Sequence, residues 1–345
     1  MIFNKMSKQP KHILVIRLSA MGDVAMTIPV LSAFTKQYPD VKLTVLTREF
    51  FKPFFRDLEN VSVFSADLKG RHKGFFGILD LSKELRTLGI DAVADLHNVL
   101  RSTILKIFLL DLKPIQIDKG RAEKKALVTG KIFEQLKTTI QRYKDVFEKL
   151  GFPIKESEPE FPKRSELNFK TLEIVGKNTK SWIGIAPFAA HKSKMYPLEL
   201  MEEVITELSK NHTILLFGGK SDVDYLSSLE NENVISIAGK LSLDEELDVI
   251  SNLEVMLSMD SGNAHMAAMM GIKVVTLWGV THPYAGFYPF HQDESFALLA
   301  DRTKYPKIPT SVYGNKFPVG YENCMQTILP EDVIEKMEQV IKKPH

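Results

Sequence analysis

Four short clusters in this 345-residue chain carry side chains suited to acid–base or phosphate chemistry. The first, Ser19-Ala20-Met21-Gly22-Asp23, follows the apolar run His12 to Leu18 and precedes the uncharged stretch Val24 to Phe34. A carboxylate at such a strand end can cap the next helix through backbone N–H bonds, worth about 1 kcal/mol. It can equally take a proton from an incoming hydroxyl. Gly22 lets the backbone turn tightly in either case. The second cluster, Met259-Asp260-Ser261-Gly262-Asn263-Ala264-His265, closes one apolar run and opens the helix-like AHMAAMMG. The N–H groups at a helix start, with their partial positive charge, suit a phosphate or diphosphate. Capping by Asp260 and Ser261, and a satisfied first-turn His265, are the alternatives.

The third cluster, Ala189 to Pro197, brings Lys192, Ser193 and Lys194 to a strand-end loop ahead of a helix that Pro197 can start. It reads either as a diphosphate site or as a solvated basic loop. The fourth, Phe217-Gly218-Gly219-Lys220-Ser221-Asp222-Val223-Asp224, is not a Walker loop, and no G-x-G-x-x-G follows any strand. Asp222-Val223-Asp224 spells D-x-D, a pattern associated with metal–nucleotide-sugar sites but common by chance; its place after a glycine turn and before a helix favours capping, or Asp222 bonding ribose hydroxyls. Metal-ligand spacing is missing among the nine histidines, and there is no G-x-S-x-G elbow. Basic residues gather at Lys69, Arg71 and Lys73, at Arg101 after Asp95-Leu96-His97-Asn98, and at Arg121, Lys124 and Lys125. Lys73 and Lys125 read as solvated; guanidinium forks at Arg101 and Arg121 could hold a carboxylate or phosphate.

The elements that position these clusters alternate. Apolar strand-like runs at His12, Lys42, Val61 and Asp91 take turns with helical stretches, and the pattern restarts at Trp182, with further strands near His212, Leu253 and Lys273. Such alternation predicts parallel sheets covered on both faces. Residues 151–180 carry prolines and charges with little periodicity, as a connection between domains would. The expected organisation is a first Rossmann-like domain over 1–160, a linker over 161–180, a second Rossmann-like domain over 181–328 and a final helix over 329–345. The two sheets would face a central cleft, with ligands at the carboxyl ends of the strands.

Composition narrows the class. The formal charge of +2 argues against a dedicated nucleic-acid binder. Residues 1–160 hold 27 Lys and Arg against 19 Asp and Glu, leaving 18 against 24 for the remainder, so the amino half should meet the more anionic partner. The single cysteine, Cys324, excludes an internal disulfide and fits a reducing compartment, the cytoplasm being the simplest. The amino terminus lacks a signal-peptide core, and no apolar stretch is long enough to span a membrane, though attachment to its surface stays open.

In succession, S-A-M-G-D-V-A-M-T-I-P, K-M-Y-P-L-E, G-G-K-S-D, A-G-K-L-S-L, M-D-S-G-N-A-H-M-A-A and E-N-C-M-Q-T-I-L-P-E-D-V resemble the ADP-heptose:lipopolysaccharide heptosyltransferases over roughly residues 11 to 340. The resemblance implies an α/β GT-B fold, a nucleotide-sugar donor in the carboxyl domain, an anionic lipid-linked glycan acceptor in the amino domain, and inversion without a metal or other cofactor. It implies Asp23 as general base and Lys194 as the lysine before a tryptophan-proline pair, here Tyr196-Pro197. Donor contacts are expected from Ser193, Asp222, Lys240, Leu241, Asp260, Ser261, Gly262 and His265. Acceptor contacts are expected from Met21, Gly22, Lys69, Arg71, Arg101, Arg121 and Lys124. Where relatives often carry hydroxyls before the lysine, this chain has Ala189 and Ala190. The rival readings are another nucleotide-sugar transferase, a 2-epimerase, or a nucleotide-sugar-binding protein without turnover. Peripheral contact with the inner membrane surface is a further expectation.

Overall fold

The computed structural model describes residues 9–155, 157–176, 180–316 and 318–343. The amino-terminal segment read above as lacking a signal falls mostly outside these, as do part of the 161–180 connection and the last two residues. The chain forms two α/β units.

Unit 1 comprises the described residues up to Lys119 together with Thr139–Glu160. Its five strands are β1 (His12–Ile16), β2 (Lys42–Thr47), β3 (Val61–Ser65), β4 (Ala92–Asp95) and β5 (Ile115–Gln116). They pair in the order β3-β2-β1-β4-β5, and all pairs are parallel. Ile13, Leu14, Val15 and Ile16 are fully buried because both sheet faces are covered, so β1 reads as a continuous apolar run rather than an alternating one. The covering helices are α1 (Met21–Ala25), α2 (Ile28–Gln37), α3 (Gly74–Arg86) and α4 (Leu100–Phe108); α5 (Arg121–Val128) belongs to the other unit, and α6 (Thr139–Lys149) returns to this one. On α3 the buried Ile78, Leu81 and Leu85 recur at helical spacing. Phe34 of α2 meets Phe147 of α6 with ring centroids 4.8 Å apart.

Unit 2 comprises Gly120–Thr138 and the chain from Phe161 onward. Its strands are β6 (Trp182–Ala186), β7 (Thr213–Leu216), β8 (Val234–Ser236), β9 (Val255–Met259), β10 (Lys273–Trp278) and β11 (Ala297–Leu299). They form a second all-parallel sheet, ordered β11-β10-β9-β6-β7-β8. Its remaining helices are α7 (Phe169–Val175), α8 (Leu198–Leu208), α9 (Val223–Ser228), α10 (Leu243–Ile250), α11 (Gly262–Met269) and α12 (Pro330–Lys342). Val333, Met337 and Val340 of α12 join Met201, Val204 and Leu208 of α8 in one core.

The structure thus keeps the expected boundary after Glu160 but gives residues 120–138, expected in the first domain, to unit 2. Leu127 and Leu136 bury with Ala285, and the Leu136 N–H donates to the Tyr284 carbonyl at 2.9 Å, which ties residues 120–138 to unit 2. The supposed linker contains α7, and its Phe161 packs on Phe290, with centroids 6.2 Å apart. By these units the charges become 22 basic against 17 acidic in unit 1 and 23 against 26 in unit 2, a milder asymmetry of the same sign.

Candidate functional site

Each sheet changes winding direction once, and a parallel sheet offers its ligand crevice at that point, beyond the carboxyl ends of the two strands. In unit 1 the strands are β1 and β4, with Ile16 opposite Asp95. Asp23, in the first turn of α1 after β1, accepts the Ala20 N–H on Oδ2 at 3.2 Å, and the same oxygen lies 2.5 Å from Arg17 Nη2. Both sequence readings of Asp23 are therefore compatible with its place: it braces its own helix start, and its carboxylate is about a quarter exposed. Met21 and Gly22 flank it, partly exposed.

Arg17 is the residue that sequence reasoning missed. It is buried, donates Nη1 to the Leu96 carbonyl at 2.6 Å, and sets its guanidinium 5.8 Å from the Tyr143 ring centroid. Tyr143, fully buried on α6, donates its hydroxyl to the Asp23 carbonyl at 3.1 Å. Burial raises the Tyr143 phenol above its ordinary range, so it stays a neutral donor. From the β4 end, buried His97 places Nε2 3.5 Å from Ser19 Oγ. Burial, reinforced by the Arg17 and Lys119 charges and opposed by Asp95 and Asp23, brings His97 down to about 4, which leaves a neutral imidazole beside the Asp23 turn. Asp95 anchors this corner: Oδ1 accepts the His97 and Asn98 N–H groups, and Oδ2 lies 2.7 Å from Lys106 Nζ.

In unit 2 the winding changes between β6 and β9, with Ala186 opposite Ser258. The loop after β6 carries Lys194, and Asp260 follows β9; Lys194 Nζ lies 2.9 Å from Asp260 Oδ2, both side chains nearly buried. Ser261 is the N-cap of α11 but makes no side-chain cap bond; its hydroxyl meets Ser258 Oγ at 3.0 Å. The first N–H groups of α11, from Gly262 on, thus lack a side-chain cap, and His265 lies buried in the same turn. Tyr196 is buried and donates its hydroxyl to the Ile328 carbonyl at 2.7 Å. Gly314, with φ +75°, lies against the Lys194 side chain so closely that a Cβ there would fall 2.4 Å from Lys194 Cδ. The loop around Gly314 holds Lys194 toward Asp260, a role no local motif announces.

Other expected residues are placed differently. Ser193 is buried and gives its hydroxyl to the Gly314 carbonyl, so that oxygen faces the protein interior and not a donor. Asp222 spends Oδ2 on the Gly219 N–H at 2.7 Å and Oδ1 on the Ser221 hydroxyl at 3.0 Å; it stands at the N-cap of α9 without a side-chain bond to that helix, so it braces the preceding turn instead of capping the next helix. Lys240 pairs with Glu230 at 2.8 Å beside a half-buried Leu241. Arg71 pairs with Glu84 at 2.6 Å, while Lys69 and Arg101 are exposed on unit 1. Arg121 and Lys124 lie on α5, hence on unit 2 rather than with the amino-half residues; Lys124 is buried, with Nζ 4.0 Å from the Phe287 ring centroid. Among the described residues no three His, Cys, Asp or Glu side chains converge as metal ligands. None of the described helices is long and apolar enough to cross a membrane.

The chain is 23% identical over 97% of its length, and 98% of the relative's, to the lipopolysaccharide core heptosyltransferase OpsX of Haemophilus influenzae. Its fold matches that of a family 9 glycosyl transferase from Veillonella parvula with a TM-score of 0.76 at 21% identity, covering 98% of this chain and 99% of that one. It also matches the E. coli ADP-heptose lps heptosyltransferase II with a TM-score of 0.70 at 18% identity, covering 96% and 98%. Two parallel-sheet α/β units of the GT-B kind are common to them. The family model described as glycosyltransferase family 9 (heptosyltransferase) matches residues 78–311, and the chain belongs to that family of glycosyltransferases.

Proposed function

We propose that this protein transfers a heptose from ADP-heptose to the core of a lipopolysaccharide, inverting the anomeric carbon and using no metal ion. The relatives' names supply the sugar and the acceptor class. The observation that carries the chemistry is Lys194 Nζ held 2.9 Å from Asp260 Oδ2 beside the uncapped start of α11. A departing ADP adds negative charge next to a carboxylate that is already nearly buried; the Lys194 ammonium offsets part of it, and the α11 amides favour the same charge. In unit 1, Arg17 and the Ala20 N–H both engage Asp23 Oδ2, which leaves Oδ1 to receive a proton.

The reaction follows from these roles. Asp23 takes the proton of the acceptor hydroxyl, whose oxygen attacks the anomeric carbon as the carbon–oxygen bond to ADP breaks and ADP leaves with the bonding electrons. Asp260, Ser261, Gly262 and His265 frame the diphosphate; Arg101, with Met21 and Gly22, meets the anionic acceptor. We assign the reaction to the cytoplasmic face of a membrane, where a lipid-linked acceptor is held.

Incubating the protein with ADP-heptose and a heptose-free core acceptor, followed by mass analysis, should give ADP and an acceptor heavier by one heptose. Transfer from UDP-sugars but not from ADP-heptose would replace the donor, and a rearranged nucleotide sugar without acceptor would mark an epimerase. Asp23→Ala should retain ADP binding and lose roughly 100-fold or more in turnover; near-normal turnover would remove Asp23 from the role of base.

A further inference from the structure

Unit 1 exposes an aromatic pair at the start of α3 that no part of the proposed reaction uses. Phe75 is 55% and Phe76 77% exposed, and Phe75 packs edge-on against Phe108, with centroids 5.4 Å apart. Leu110, just beyond α4, is 63% exposed. The turn ahead of the pair is braced. The Asp67 carboxylate accepts the Gly70 and Arg71 N–H groups at 2.8 and 2.9 Å. His72, fully buried, accepts the Asp67 N–H on Nδ1 at 3.1 Å and lies 3.4 Å from Glu84 of α3 through Nε2. Gly77 lets the turn lie on the helix, since a Cβ there would fall 2.5 Å from the His72 carbonyl carbon. The rings are thus held outward by a rigid support, with Lys69 and Lys73 exposed on the same turn.

We infer that this turn and the start of α3 form a membrane-docking surface, Phe75 and Phe76 entering the boundary between headgroups and acyl chains while Lys69 and Lys73 meet anionic headgroups. The two rings meet edge to face with centroids 5.8 Å apart and so form one small apolar knob; with Lys69 and Lys73 exposed on the turn ahead of it, the combination of aromatic tip and cationic rim suits an anionic bilayer boundary. A second copy of the chain, docked about a two-fold axis, would bring Lys69 and Lys73 close to their own equivalents; an anionic bilayer neutralises them. The inference rests on the reading that the acceptor is lipid-linked, but its test needs neither donor nor acceptor.

The full chain is sedimented with vesicles of phosphatidylcholine alone and of phosphatidylcholine with phosphatidylglycerol, at low and high salt. Binding is expected to the anionic vesicles and to weaken with salt. Phe75→Ser/Phe76→Ser should bind about tenfold more weakly or less with an unchanged Tm. Should the double variant lose Tm, Phe76→Ser alone carries the comparison. Wild-type protein left in the supernatant of anionic vesicles, or variants that bind as tightly as wild type, would overturn the docking surface. So would a dimer in solution that the double variant breaks without any vesicle binding. Vesicle binding with no heptose transfer would leave the surface standing and fail the proposed reaction instead.

Discussion

Arg17 is where the chemistry of unit 1 depends on a residue outside its motif. It joins the Asp23 carboxylate to the Leu96 carbonyl, and Asp23 in turn joins α1 to α6 through Tyr143. Arg17→Met leaves a buried carbonyl and a carboxylate without their shared donor, a loss of about 1–3 kcal/mol in stability. If Arg17 positions Asp23, kcat should also fall by about tenfold or more while the KM for the donor holds, and Arg17→Lys should recover part of kcat. A fall in Tm with kcat unchanged would make Arg17 structural only. His97 supplies a pH test at the same corner. Its folded value of about 4 lies below the ordinary 6.5, so its contribution is present in full above pH 6.5 and is lost as the pH falls toward 4, where the unfolded chain binds a proton that the folded chain refuses. In unit 2, His282 also lies at about 4 and acts in the same sense, but Glu246, raised by burial to about 7, acts oppositely: its contribution is present below pH 4.5 and lost as the pH rises through 7. His97→Asn should therefore lose less calorimetric Tm than wild type between pH 7 and pH 5, and an identical loss would show that His97 titrates normally. Asp23, Lys194 and Asp260 were legible because strand-end motifs are local. His97 and Gly314 were not, because their partners, Ser19 and Lys194, are distant in sequence; Arg17, only six residues from Asp23, was hidden inside the apolar run of β1 and its end.

At the scale of elements, strand patterns predicted the sheets well because buried parallel strands are continuous apolar runs, as β1 and β9 are. The loops that carry Asp23 and Lys194 therefore follow β1 and β6, where the strand patterns put them. What sequence could not give was the use of residues 120–138, since nothing in G-R-A-E-K-K distinguishes a basic helix of one unit from that of the other; the burial of Leu127 with Ala285 decides it. The same limit hid the 311–316 loop, whose hydrogen bond from the Gly314 N–H to Ser311 Oγ at 3.0 Å shapes it against Lys194. Gly314→Ala forces a methyl into the Lys194 stem at a positive φ, a strained combination costing about 1 kcal/mol or more. The ammonium should move off Asp260, and kcat should fall by about tenfold or more with little change in the pH dependence of unit 1. Transfer at the wild-type rate in Gly314→Ala would mean that the loop does not set the position of Lys194.

For the molecule as a whole, the net charge of +2 conceals two units of opposite balance, and this holds whether residues 120–138 are counted with the first unit or, as they pack, with the second. The negative balance of unit 2 does not oppose a diphosphate, because Lys194 and the α11 amides act at contact distance while the remaining charges are screened beyond about 10 Å. Both tryptophans, Trp182 and Trp278, lie in unit 2, so their emission reports its unfolding. If unit 2 alone binds the nucleotide, ADP at about 100 times its Kd should add about 2.7 kcal/mol to that unit. For a unit of this size, that raises the tryptophan-detected Tm by roughly 5–10 °C. Amide exchange should slow at residues 192–194 and 260–265 and stay unchanged across β1, β2 and β4. Lys194→Met should reduce both effects. Protection that appears instead at the Asp23 turn, with no shift in tryptophan emission, would transfer the donor site to unit 1 and reverse the roles assigned to the two sheets.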